Sequence, residues 1–72
     1  MDPHKIIGME VPAADGGNFG HRVISYNPET EDYLVQPIRW STGEPLSEVD
    51  TIDVHKITYR YDLTAARPSQ TR

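Results

Sequence analysis

His21-Arg22-Val23-Ile24-Ser25-Tyr26, then Asn27-Pro28-Glu29-Thr30-Glu31-Asp32, then Tyr33-Leu34-Val35-Gln36-Pro37-Ile38-Arg39-Trp40 read in succession as strand, turn and strand. The outer stretches are rich in β-branched and aromatic residues, and Pro28 suits the second position of a tight turn. Strand three carries Leu34, Ile38 and Trp40 on one side and Tyr33 and Val35 on the other. Strand two sets Ile24 and Tyr26 opposite Val23. Apolar residues on both faces call for two burial surfaces, supplied by a sheet that bends back on itself or by a second chain, which would make a homo-oligomer. Pro37 cannot donate to a ladder and belongs at an exposed edge or a bulge.

Lys5-Ile6-Ile7-Gly8-Met9-Glu10-Val11 reads as strand one, stopping at Pro12, and residues 12–20 form a loop with glycines at 16, 17 and 20. Residues 41–51 make a second polar connection around Ser41-Thr42-Gly43-Glu44-Pro45. Strand four spans Ile52 to Leu63, with apolar residues at 52 and 54 and then at 57, 59, 61 and 63. Its period of two slips by one between Val54 and Ile57, which a β-bulge or a short helical turn would supply. No stretch of useful length shows helical periodicity. Residues 1–4 are expected to be flexible, residues 5–63 to form a single domain, and residues 64–72 to trail as a disordered tail. The fold class is therefore all-β: a small barrel or a strongly bent antiparallel meander of four to five strands.

The chain has 72 residues, 7 basic against 11 acidic side chains, a net charge of −4 and no cysteine. One small core is all that such a length can build. Disulfides and thiolate metal sites are excluded. No apolar run is long enough for a secretory signal or a membrane span, so the expected setting is the cytoplasm. The net charge argues against general affinity for nucleic-acid backbones.

Asp15-Gly16-Gly17-Asn18-Phe19, Val23-Ile24, Tyr33-Leu34-Val35, Gly43-Glu44 and the pair Val54 and Ile57 together resemble the SH3-like small barrels, and within them the Tudor-type domains, over residues 5–61. That resemblance implies recognition of a methylated Lys or Arg peptide by an aromatic cage, with Phe19 and Trp40 as cage residues and Tyr26 beside them. Gly20-His21-Arg22 and Trp40-Ser41-Thr42-Gly43 depart from the family pattern on either side of the cage.

The chemistry-bearing residues do not make an enzyme. Serines 25, 41, 47 and 69 sit in no nucleophile elbow, and the glycines of residues 16–20 lack a phosphate-loop pattern. Asp53 and His55 share a strand face, but no second ligand pair supports a metal, and no cofactor is expected. Acids are more telling. Glu29, Glu31 and Asp32 occupy one connection, and Glu44, Glu48, Asp50 and Asp53 the next. If a meander brings the two connections together, they form a negative rim suited to a basic partner. The expected function is thus an accessory or regulatory protein-protein interaction module. Tyr33, Trp40, Tyr59 and Tyr61 would anchor it, and Glu44, Glu48, Asp50 and Asp53 would orient it. The alternative is a nucleic-acid-binding barrel using Arg39, Lys56 and Arg60 among strand aromatics.

Overall fold

The β-branched run through residues 20–38 builds the longest hairpin of the computed structural model, which describes residues 2–69. The strands are β1 (Met9–Pro12), β2 (Gly20–Asn27), β3 (Asp32–Ile38), β4 (Asp50–Asp53) and β5 (Arg67–Pro68). They form one antiparallel sheet in the order β4-β3-β2-β1-β5. The first four follow one another as a meander, and β5 returns beside β1. The architecture is all-β with one short helix, α1 (Val54–Arg60).

One face of the sheet holds the core. Val11, Val23, Tyr33, Val35, Ile52 and Ile57 are buried together, with Tyr26, Val54, Tyr61 and Leu63 packed around them. Tyr33 and Val35 are therefore interior residues. A register shift between Val23 and Ser25 puts a bulge at Ile24. The extra residue brings Val23, opposite Val35, and Tyr26, opposite Tyr33, onto the same face. The alternation expected for strand two is corrected here: Ile24 is the residue squeezed out, and it is exposed.

The other face is partly covered by the chain itself. After Ile38 the backbone turns, with Arg39 N–H donating to Glu44 O at 2.8 Å and Gly43 N–H donating to Arg39 O at 2.7 Å. Gly43, at φ 77°, takes a conformation that favours glycine. Trp40 folds back over Gly20, where a Cβ would stand 2.8 Å from Trp40 Cε3. Two-sided apolar patterning thus has a cause within one chain: residues 38–43 close over the outer end of β2 and β3. Pro37 pairs with His21, but β4 reaches only as far as Val35. Pro37 O accepts from Leu46 N–H at 3.0 Å. Its nitrogen points to the same side, where no strand ladder asks for a proton, so Pro37 sits at a local edge.

Three expected boundaries change. Residues 5–8 are not strand. Pro3–Ile6 is a 3-10 helix capped by Asp2, with Pro3 leading it, because proline at a first helical position loses no hydrogen bond. The expected strand Ile52–Leu63 divides into β4, α1 and a 3-10 turn, Leu63–Ala65. Asp53 caps α1, accepting from the N–H groups of His55 and Lys56. Val54, Ile57 and Tyr61 then fall on its inward side at spacings of three and four, so the phase slip in the sequence marks a helix. Finally, residues 64–69 of the expected tail include the 3-10 turn and β5, which pairs Arg67 with Glu10 and Pro68 with Met9. Residues 70–72, like Met1, lie outside the described residues.

Candidate functional site

Strand register decides where the acids go. Asn27↔Asp32 closes the β2–β3 hairpin, and Asp32 stands directly opposite Asp53 in the β3–β4 ladder. Val54 N–H donates to Glu31 O at 2.9 Å, fastening the hairpin loop to the start of α1. Glu29, Glu31, Asp32 and Asp53 therefore share one end of the sheet, with Asp32 and Asp53 on the face away from the core. None of them has an ion-pair partner among the described residues. Glu31 holds φ 57°, a left-handed conformation that glycine or asparagine adopts more readily. Like charges directly opposite in a sheet are unfavourable.

Glu44, Glu48, Asp50 and Asp53 are all exposed. Asp53 belongs to the rim just described. Asp50, opposite Val35, turns towards the core side and lines a cavity there. Among the expected anchors, Tyr59 is 69% exposed on the outward side of α1. Tyr33 is no anchor: it is fully buried, and its hydroxyl donates to Pro3 O at 2.6 Å. Burial first, then Tyr26 and Asp2, raise its pKa above the ordinary tyrosine value. Trp40 is half-buried with its ring already engaged: the Arg67 guanidinium lies 3.6 Å from its centroid. Tyr61 is half-buried and bonded to His21, its hydroxyl 2.7 Å from Nε2. Burial raises the Tyr61 pKa.

The cage expected from the resemblance does not assemble. Phe19 packs with His21 and Tyr61, Tyr26 packs with His4 and Tyr33, and Trp40 stacks under Arg67. The basic strip is also divided, since Lys56 and Arg60 line the cavity beside Phe19 and Tyr61 while Arg39 does not. Asp53 and His55 are joined at the helix cap, Asp53 Oδ1 accepting from His55 N–H at 2.8 Å. Among the described residues no group of three or more His, Cys, Asp or Glu is placed to hold a metal ion.

Sequence reasoning missed a buried charge cluster. Glu10 is wholly buried between two arginines. Arg22 donates to its Oε2 through Nη2 at 2.9 Å and Nε at 3.1 Å, and Arg67 Nε donates to Oε1 at 2.9 Å. The arginines go on to bind Gly43 O and Trp40 O, at 2.9 and 2.7 Å. This row ties β5, β1, β2 and the covering loop together. Its saturated carboxylate makes it a structural clamp. A glutamate between Met9 and Val11 is a faint signal, because its partners lie 12 and 57 residues away.

Compared with protein-family models, curated proteins and solved structures, the chain matches none.

Proposed function

We propose that the protein is a non-enzymatic accessory or regulatory module of the cytoplasm that occupies a basic surface on a partner protein. The observation that carries this reading is the opposition of Asp32 and Asp53, which adds Asp53 to Glu29, Glu31 and Asp32 in one acidic rim with no ion-pair partner among the described residues. Such a rim costs stability through like-charge repulsion, and Glu31 adds a strained backbone at the same end. Acids kept under those conditions are well suited to steering a positively charged partner. Exposed Leu46 and Val49, in the connection that carries Glu44 and Glu48, and exposed Tyr59 on α1 offer apolar anchors. The SH3-like barrel belongs to the same reading, supported by the return of β5 to β1 after a strand and a short helix.

The test is capture of cellular proteins on the immobilised chain at low and high salt, compared with the double variant Asp32→Asn, Asp53→Asn. Asparagine retains the helix cap, so this variant keeps its fold. Basic proteins retained by the wild type at low salt, and lost with either the variant or high salt, are the expected result. A folded wild-type chain that retains nothing, or retains the same proteins as the variant, refutes the reading.

A further inference from the structure

A cavity of about 370 Å³ opens on the core side of the sheet, away from the face that carries Asp32 and Asp53. Its floor includes Val35, Pro37 and Ile52, and Phe19, His21 and Tyr61 supply aromatic walls. Lys56 and Arg60, one helical turn apart on α1, line it as well, together with Asp50. Neither cation has an ion-pair partner among the described residues. His21 is 7% exposed, and its Nδ1 is the one buried side-chain polar atom among the described residues without a hydrogen-bond partner. The volume falls in the range of small-molecule sites, ~300–1,000 Å³, and polar side chains, Ser47 and Thr51 among them, make up more of the lining than the apolar floor does.

We infer that this cavity binds a small aromatic carboxylate, its ring against Phe19 and Tyr61 and its carboxylate between Lys56 and Arg60. The aromatic walls select a flat apolar body, which packs on rings edge to face or offset. Two cations and the Asp50 carboxylate leave one positive charge in excess, which matches a monoanion better than a dianion. Arg60 adds a planar fork suited to a carboxylate. This inference is independent of the acidic rim, which uses other residues.

Titration of the full chain with benzoate, benzamide and inorganic phosphate, followed by NMR, tests it. Benzoate should give saturable shifts at the Phe19 and Tyr61 ring signals and at the Lys56 and Arg60 amides. Benzamide, uncharged and of the same shape, should bind about tenfold more weakly. The double variant Lys56→Gln, Arg60→Gln changes exposed residues and keeps the fold, which a thermal melt verifies. It should lower benzoate affinity to that of benzamide and leave benzamide unchanged. The inference fails if benzoate does not saturate, if benzoate and benzamide bind equally, or if the double variant binds benzoate as the wild type does. It also fails if phosphate shifts Lys56 and Arg60 while benzoate leaves Phe19 and Tyr61 unmoved, since the site is then a simple anion contact.

Discussion

Glu10 is a buried carboxylate that two arginines share. Its two oxygens hold Arg22 and Arg67, and through them the loop carbonyls of Gly43 and Trp40. Glu10→Gln removes the charge and leaves two half-buried guanidinium groups facing a neutral amide. A loss of about 3–5 kcal/mol is expected, read from urea unfolding. Asp32→Asn works the other way. Relieving the repulsion with Asp53 should raise stability by up to about 1 kcal/mol while weakening attraction to a basic partner. His21 sets a pH dependence. Burial holds its pKa below the ordinary 6.5, with the Asp50 charge acting in the opposite sense. The unfolded chain therefore takes up the proton first as pH falls. The stability of the neutral ring is fully present above about pH 6.5 and is lost as pH drops through that value towards the lower folded pKa. Thermal melts between about pH 7.5 and 5 should show this decline, and His21→Gln should flatten it; the same slope in that variant would exclude His21 as its source.

At the scale of elements, α1 shows how a strand-like pattern becomes a helix. Residues 57, 59, 61 and 63 alternate as a strand would, yet Asp53 captures two amide groups and starts a helix after Ile52. Once the chain turns, Ile57 points into the core with no exposure and Tyr59 points out. The two substitutions should separate cleanly. Ile57→Ala should cost about 2–5 kcal/mol, because it opens a cavity, whereas Tyr59→Ala should change the melt little. Asp53→Ala should cost about 0.5–2 kcal/mol through the lost cap, and Asp53→Asn much less. Urea unfolding of the four variants checks the assignment, and equal costs for Ile57→Ala and Tyr59→Ala would contradict it. The bulge at Ile24 is the second such element. One extra residue puts Val23 and Tyr26 in the same core, which simple alternation forbids.

For the whole molecule, a small core is supplemented by a clamp that joins the two ends of the sequence. Glu10 near the start and Arg67 near the end pair across β1 and β5. A domain of this length has only about 5–10 kcal/mol of stability in total. Deleting residues 67–72 should remove a large part of it, by opening the charge cluster and stripping Arg67 from Trp40. Trp40 fluorescence should shift to the red in the shortened chain, and its urea midpoint should fall. An unchanged midpoint and spectrum would mean that β5 merely lies on the sheet.

Local order in the chain determined the strand-rich class, the β2–β3 hairpin and the turn at Pro28, because β-branched runs and turn residues act on their immediate neighbours. Pro37 announced a ladder edge for the same reason. Tertiary structure decided which face became core and that Arg22 and Arg67 meet at Glu10. It also separated Phe19, Tyr26 and Trp40 into different clusters and brought Phe19, His21 and Tyr61 together. Those outcomes depend on register between segments far apart in sequence. A shift of one residue exchanges the two faces of a strand, and no neighbouring residue carries a record of the partner across the sheet.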